Sequence, residues 1–209
     1  MSQRRSGAAP GYVRIIAGRW RGTRLPVPDA SGLRPSTDRV RETLFNWLQP
    51  KLPGARVLDL FAGSGALALE ALSRGASKAL LVERDPTLVE DLHAVIGRLQ
   101  AGAEAHVLRA DALALLRTPL YGRFDVVFVD PPFDAGLWSQ VFELLSPWLA
   151  DGAWLYVEAP LEATPMPGVG WIPHREGHTR EVRYALYRRP AGAAVTLAAN
   201  SRPDGATTA

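Results

Sequence analysis

Short apolar runs alternate with helical patterns between residues 55 and 158, and this alternation most constrains the fold. Val57, Leu58 and Leu60 make the first run apolar on both faces, as a sheet covered by helices on both sides requires. We predict strands at 55–61, 78–83, 104–109, 124–129 and 152–158, and helices near 65–74, 86–99, 111–117 and 135–149. The alternation therefore predicts an α/β fold with a doubly wound, mostly parallel sheet.

Outside this region the pattern predicts strands at 12–17 and 23–27, a helix at 38–49 capped by Thr37, and strands at 169–175 and 181–188. Only a few residues, including Gly177, separate the last two strands, which indicates an antiparallel hairpin at the end of the sheet. We divide the chain into a basic N-terminal arm and β-hairpin over 1–33, the α/β domain over 34–189, and a tail over 190–209. The tail lacks any apolar period, and we expect it to be disordered.

Composition excludes several classes of site. The chain of 209 residues has no cysteine, so disulfides, thiolate zinc sites, iron–sulfur clusters and cysteine nucleophiles are ruled out. Its four histidines lack metal-ligand spacing, and we expect no metal site. No run reaches the roughly 18 apolar residues of a membrane span, and no secretory segment is recognisable. We therefore expect a cytoplasmic protein without a membrane partner.

Positive charge gathers at the N-terminal end of the chain. Residues 1–50 hold nine arginines against three acidic residues, whereas the remainder is mildly acidic. A general preference for arginine over lysine explains the residue type but not its position. The arm therefore predicts a polyanionic partner, because arginine suits forked phosphate contacts. The candidate contacts are Arg14, Arg19, Trp20, Arg21, Arg24, Arg34 and Arg39. Packing of Trp20 on the protein body is the alternative for that residue.

A glycine turn and two later acidic residues predict a nucleotide-containing cofactor. Gly63 and Gly65 lie between the first strand and helix, where they permit a tight turn and a close ligand approach. Glu83 ends the second strand and can accept from ribose hydroxyls, while Asp111 follows the third and can accept from an adenine amine. A solvated strand end and a helix cap are their alternative roles. The candidate cofactor residues are Asp59, Ala62, Gly63, Ser64, Gly65, Glu83, Arg84, Asp111 and Ala112.

Asp59 favours S-adenosylmethionine over a dinucleotide. Together with Ala68, the turn also fits the loose G-x-G-x-x-A pattern of dinucleotide enzymes. However, a carboxylate just before the turn repels a pyrophosphate, whereas it attracts the ammonium and the sulfonium of S-adenosylmethionine.

The tetrapeptide Asp130-Pro131-Pro132-Phe133 follows the apolar run 124–129 and is the candidate catalytic site. Two prolines keep the backbone rigid and remove two N–H donors. A carboxylate and backbone carbonyls remain as acceptors beside an aromatic face, and this arrangement suits a planar group that carries an NH2. Taken alone, the tetrapeptide is equally compatible with a proline-rich turn.

These motifs together resemble the Rossmann-type methyltransferases that act on exocyclic amines. Four segments narrow the resemblance to the bacterial 16S rRNA guanine-N2 methyltransferases of the small ribosomal subunit: residues 14–22, 33–47, 61–67 and 127–133. The resemblance covers about residues 14–189. It implies a Rossmann-like class I fold, S-adenosylmethionine as cofactor, and methylation of the guanine-966 type. It also makes 16S rRNA in the assembled small subunit the partner of the basic arm. We expect the enzyme to be a monomer.

Four alternatives stay open at this point. DNA adenine-N6 and protein glutamine-N5 methyltransferases also present an amine to such a tetrapeptide. A non-catalytic RNA-binding assembly factor can keep the cofactor fold, and a dinucleotide oxidoreductase fits the glycine pattern. The absence of cysteine argues against methylation at C5 of a pyrimidine, which needs a thiolate.

Overall fold

The protein is described by a computed structural model that covers residues 11–27 and 38–192. Its strands are β1 (Gly11–Arg14), β2 (Arg24–Val27), β3 (Arg56–Asp59), β4 (Lys78–Glu83), β5 (Ala105–Arg109), β6 (Phe124–Val129), β7 (Leu149–Pro160), β8 (Ile172–His178) and β9 (Val182–Arg188). Its helices are α1 (Asp38–Leu48), α2 (Ala66–Ser73), α3 (Pro86–Leu99), α4 (Ala112–Leu116) and α5 (Trp138–Leu145). The predicted Thr37 cap and most of the predicted tail lie outside the described residues.

Seven strands form one sheet in the order β5-β4-β3-β6-β7-β9-β8. Strands β3 to β7 run parallel to one another, whereas β9 runs antiparallel to both β7 and β8. The predicted α/β fold and its terminal hairpin are therefore confirmed, but Gly177 lies within β8 and residues 179–181 form the connection. The chain order reverses between β3 and β6, and a parallel sheet places its ligand crevice at the carboxyl ends of the strands flanking such a point.

Helices cover both faces of the sheet. Val126 and Phe128 pack on the side of α1, α2 and α3, whereas Val127 and Val129 pack on the side of α4 and α5. This alternation explains why the central strands are apolar at every position. Continuing it, Asp130 turns toward the α1–α3 side, where its charge acts on the hydroxyl of Tyr156.

The end of the predicted helix 135–149 differs in the structure. Helix α5 ends at Leu145, a 3₁₀ turn follows, and β7 already begins at Leu149. Pro147 lies in that turn and cannot donate a backbone hydrogen bond to a continuing α-helix. The first residues of β7 also contain a bulge, with Gly152 at a φ of 73°. Periodicity alone does not reveal such a bulge.

The hairpin β1–β2 belongs to the same core as the α/β domain. Val13, Ile15 and Leu25 are buried with residues of α1 and α2. The Gly18 turn lies directly on helix α2, because a Cβ there would come 1.9 Å from the carbonyl oxygen of Ser73. The hairpin therefore has no hydrophobic core of its own. The division at residue 33 stays a proposal about function. Within the described residues, no helix has the length and apolarity needed to cross a bilayer.

Candidate active site

The carboxyl ends of four parallel strands meet at one edge of the sheet. Asp59 pairs with Leu81 on one side and with Phe128 on the other. Glu83 pairs with Arg109 on the neighbouring strand. The register therefore brings the acidic residues predicted after successive strands to one edge of the sheet, together with the Asp130 turn.

The glycine turn is held between two strands and a helix. The N–H of Ala62 donates to Val82 over 2.9 Å, and the N–H of Leu60 donates to Phe128 over 3.3 Å. Gly65 begins α2 at a φ of 78°, and a Cβ there would lie 2.7 Å from the side chain of Leu92. Glycine is needed at this position both for the turn and for close packing against α3.

Asp59 lies beneath the glycine turn and not at an open mouth, with 2% of its surface exposed. Burial raises the pKa of its carboxyl to about 7, hydrogen bonds from the backbone N–H groups of Phe61 and Ala68 oppose the rise, and the negative charge of Glu83 adds to it. Ala68 lies in the first turn of α2, whose N-cap position is occupied by Gly65. A direct contact with the methionine ammonium stays a prediction.

Glu83 is oriented by three backbone donors. Its Oε2 accepts from Gly63 over 2.9 Å, and its Oε1 accepts from Arg84 and Asp85 over 2.8 and 2.9 Å. These bonds use three of the roughly four acceptor positions of the carboxylate, and one position on Oε2 remains for a ligand hydroxyl. The alternative of an unorganised, solvated strand end does not describe this residue.

Asp111 caps helix α4, because its Oδ1 accepts from the N–H of Ala114 over 2.9 Å. The capping role considered from the sequence is thus present. It leaves further acceptor positions on the carboxylate, so a contact with an adenine amine stays a prediction. Ala112 is buried directly behind it.

The carboxylates at these strand ends fit S-adenosylmethionine. Glu83 supplies a carboxylate acceptor where a ribose hydroxyl needs one, Asp111 supplies an acceptor at the next strand, and Asp59 supplies negative potential under the turn. A pyrophosphate would meet this potential as repulsion. The crevice therefore suits a nucleoside that carries positive charge.

The catalytic candidates form a rigid turn at the end of β6. Pro131 is buried, Asp130 and Phe133 are half-buried, and Pro132 is exposed. The ring of Phe133 lies 6.3 Å from that of Trp138, with 38° between the planes. This turn presents a carboxylate and an aromatic side chain at the crevice.

Sequence reasoning offered Glu158 as a pocket residue or a solvated strand end, and it missed Tyr156 and Trp138 beside this turn. The fully buried hydroxyl of Tyr156 donates to Oε2 of Glu158 over 2.6 Å, and the indole N–H of Trp138 donates to the carbonyl of Glu158 over 2.9 Å. Burial raises the pKa of Tyr156 well above its usual value, and the charges of Glu158 and Asp130 add to the rise. The spacing of 156 and 158 on one face was the available signal, but it required knowing that β7 neighbours β6.

Comparison with known proteins now identifies the chain's relatives. Residues 13–188 match the model of the family Conserved hypothetical protein 95. The chain belongs to this family. Ribosomal RNA small subunit methyltransferase D of Escherichia coli is 49% identical over 187 residues, covering 87% of this chain and 92% of the relative. The Haemophilus influenzae protein of the same name is 44% identical over 184 residues, covering 86% and 95%.

Solved structures agree. The Escherichia coli protein yhhF, named as a methyltransferase, superposes with a TM-score of 0.79 at 48% identity, covering 87% of this chain and 99% of that one. These relatives confirm the family resemblance and the Rossmann-like methyltransferase fold. The methyl donor of this family member is S-adenosylmethionine.

The tip of the family member's N-terminal hairpin lies far from the glycine turn along the strands. Arg19 forms an ion pair with Glu104, which directly precedes β5, so the tip is at the amino edge of the sheet. The guanidinium of Arg19 also lies 4.0 Å from the centre of the Trp20 ring. The backbone N–H of Trp20 donates to the hydroxyl oxygen of Ser73 over 2.9 Å. Trp20 therefore packs on the body, and the structure does not bring these residues or Arg21 to the crevice. Their contact with RNA stays a prediction.

The outer face of the hairpin carries a different cluster. The guanidinium groups of Arg24 and Arg14 lie 4.4 and 5.4 Å from the ring of exposed Tyr12. Their positive charge and a hydrogen bond from Arg14 lower the pKa of Tyr12. Arg39 is exposed on the first turn of α1. Arg34 lies outside the described residues. Within residues 11–27 and 38–192, no cluster of three or more acidic, histidine or cysteine side chains could hold a metal ion.

Proposed function

We propose that this protein transfers a methyl group from S-adenosylmethionine to the N2 amine of a guanine in 16S rRNA of the assembled small ribosomal subunit, a reaction of the guanine-966 type. The observation that carries the proposal is the position of Asp130, which ends the strand next to the glycine turn at the point where chain order reverses. The relatives named Ribosomal RNA small subunit methyltransferase D support the RNA substrate.

The tetrapeptide activates the amine by accepting its hydrogens. A guanine amino group is a poor nucleophile because its lone pair is delocalised into the ring. Asp130 accepts one N–H and the Pro131 carbonyl accepts the other, so that the nitrogen can become pyramidal. Phe133 stacks on the base and fixes its plane, while Pro132 holds the backbone of the turn rigid.

Methyl transfer is then an in-line displacement at carbon. The bound cofactor supplies an electrophilic methyl group on a sulfonium. Positioning of the two reactants contributes about 7–11 kcal/mol to lowering the barrier. The amine becomes acidic only as the new bond forms, so Asp130 takes its proton late, which contributes about 10²–10⁴-fold.

The glycine turn and the strand-end acids hold the cofactor. Backbone groups of Ala62, Gly63, Ser64 and Gly65 would hold the cofactor at the turn, and Arg84 and Ala112 adjoin the two acids that follow. Glu83 accepts from a ribose hydroxyl and Asp111 from the adenine amine. Asp59 acts on the sulfonium and the ammonium through its negative charge.

The RNA is recognised by shape and charge. The target base leaves its stack at a cost of a few kcal/mol, which is smaller if the base already lies in a loop. Arg14, Arg24 and Arg39 present positive charge beside the described part of the arm, and Tyr12 offers a face on which a base can stack. We propose a cytoplasmic monomer that needs neither a metal nor a membrane.

Mass spectrometry of digested 16S rRNA tests the function. A strain that lacks the gene is expected to lose one N2-methylguanosine, and the wild-type gene but not an Asp130→Ala gene is expected to restore it. A non-catalytic assembly factor would show no such difference between the two genes. Unchanged N2-methylguanosine in the deletion strain rules the proposal out. Calorimetry with S-adenosylhomocysteine against NAD separates the two cofactor classes independently.

A further inference from the structure

A second carboxylate, that of Glu158, lies near Asp130 on the neighbouring strand β7, just beyond the part of β7 that pairs with β6. Val129 pairs with Val157, so Asp130 and Glu158 follow the last paired residues of β6 and β7. Neighbouring strands run about 4.8 Å apart, and residues in register point to the same face. The charges of both carboxylates act on one hydroxyl, that of Tyr156. The two acids therefore lie side by side.

Glu158 is organised and not a solvated strand end. It is 3% exposed. The Tyr156 hydroxyl holds its Oε2 at 2.6 Å, and the Trp138 indole holds its carbonyl oxygen at 2.9 Å. Trp138 in turn lies against Phe133, the aromatic residue of the catalytic turn. Both the main chain and the carboxylate of Glu158 are thus fixed relative to the site where the base would lie.

Two adjacent carboxylates match only one purine edge. Guanine presents a ring N1–H donor next to its N2 amine, whereas adenine presents its amine next to a bare N1 acceptor. A carboxylate accepts hydrogen bonds but cannot donate one while it is ionised. The pair therefore attracts the guanine edge and repels the adenine edge, and a base outside its stack is read on this edge.

We propose that Glu158 accepts the ring N1–H of the target guanine and is a specificity-determining residue of the slot whose amine acceptor is Asp130. The inference rests on the proposed function and deepens it. Tyr156 is the positioning residue that orients Glu158. This role explains why the buried Glu158 is oriented by the buried hydroxyl of Tyr156 and why it lies near Asp130.

The test replaces the target guanosine with 2-aminopurine riboside in small subunits reconstituted from ligated 16S rRNA. 2-Aminopurine keeps the N2 amine but has a bare N1. Wild-type protein is expected to methylate it with a kcat/KM roughly 10- to 100-fold below that for guanosine, the loss typical of a hydrogen bond to a charged group. In Glu158→Gln the amide can either accept or donate, so the ratio between the two bases is expected to approach one. Glu162→Gln, an exposed acid just beyond β7, is the matched control and keeps the wild-type ratio.

Each other outcome overturns the inference. A wild-type ratio near one means that N1–H is not read, and a ratio unchanged in Glu158→Gln means that another residue reads it. Loss of both substrates with retained S-adenosylhomocysteine binding assigns Glu158 a positioning role only. If Glu158→Gln does not fold, Tyr156→Phe replaces it, because it frees Glu158 from its orientation and should also lower the ratio; an unchanged ratio there overturns the inference. Absence of N2-methylguanosine from wild-type reactions on unmodified subunits instead contradicts the proposed function.

Discussion

Two buried carboxylates, Glu70 within helix α2 and Asp59 just before the glycine turn, differ in the charge that lies next to them. Glu70 is fully buried and accepts from the backbone N–H groups of Ile16 and Ala17 over 2.6 and 3.0 Å. It is also paired with Arg74 over 2.6 Å. Asp59 is almost as buried and also accepts from backbone N–H groups. The charge near it, however, is the negative charge of Glu83.

We propose that this difference distinguishes an acid that stabilises the fold, Glu70, from an acid that serves a ligand, Asp59. The charge of Glu70 is neutralised by the Arg74 guanidinium, and its carboxylate holds the chain segment that follows β1. Asp59 leaves negative potential at the carboxyl edge, where a positively charged ligand can use it. In this proposal a cationic cofactor balances the negative charge of Asp59, whereas the charge of Glu70 is already balanced by Arg74.

The largest effect is expected from Asp130→Ala. Loss of the amine acceptor should lower kcat/KM for rRNA methylation by at least about 10²–10⁴-fold, since proton removal is lost. S-Adenosylhomocysteine affinity, measured by calorimetry, should change little. Asp134→Ala, an exposed acid in the following turn, is the control. Equal activity of the two variants would remove Asp130 from the chemistry.

Glu70→Ala sharpens the structural side of the comparison. It leaves the Arg74 guanidinium and the N–H groups of Ile16 and Ala17 without their acceptor, so the free energy of unfolding should fall by about 3–5 kcal/mol. Urea denaturation measures this change. Glu143→Ala, an exposed helical acid, should stay within about 0.5 kcal/mol of wild type. A similarly small loss for Glu70→Ala would contradict its anchoring role.

Glu83→Ala tests the proposed role of a strand-end acid in cofactor binding. Loss of the hydrogen bond between a ribose hydroxyl and a charged acceptor should weaken S-adenosylhomocysteine binding roughly 10- to 100-fold. Calorimetry measures the affinity, and exposed Glu90→Ala on α3 serves as the control. If the two variants bind equally well, the ribose is held elsewhere.

The pKa of Asp59 near 7 predicts a pH-dependent affinity for the cation. The carboxylate form attracts the sulfonium, so S-adenosylmethionine affinity should rise with pH up to about 7, by at most about tenfold per unit. Calorimetry from about pH 5.5 to 8.5 measures it, beside S-adenosylhomocysteine, which lacks the sulfonium. Asp59→Asn should flatten the difference between the two ligands. A difference that is already flat in the wild type would argue against a role for the Asp59 charge.

The same group acts on the ligand-free protein with the opposite sign. Because the pKa is raised in the folded state from its ordinary value of 3.8, folding favours the protonated form. The contribution to stability is therefore full below about pH 4 and is lost as the pH rises through 7. Urea denaturation over this range, compared with Asp59→Asn, separates this contribution from those of other groups.

The smallest effect is expected from Arg19→Ala. Its ion pair with Glu104 is half exposed, and such pairs contribute about 0–1 kcal/mol. Since the hairpin tip lies at the amino edge, rRNA methylation should stay near wild type, whereas Arg24→Ala beside Tyr12 should weaken RNA binding. Filter binding to small subunits measures both. A strong loss for Arg19→Ala would place the tip within the RNA interface.

Most element positions follow from local pattern. The strands at 78–83 and 124–129 and the helix at 86–99 were predicted with the bounds that the structure shows, because period and turn residues act over a few positions. The bulged start of β7 was missed, since a bulge arises from pairing with Phe124.

The sequence by itself determined which residue types follow each strand: acids, a glycine turn and the tetrapeptide at 130–133. Only the tertiary structure decided that Tyr156 and Glu158 adjoin Asp130, that Glu70 and not a ligand anchors the hairpin, and that its tip lies at the opposite edge. The reason is physical. Turn chemistry and periodicity are local, whereas strand order and register join residues far apart in the chain.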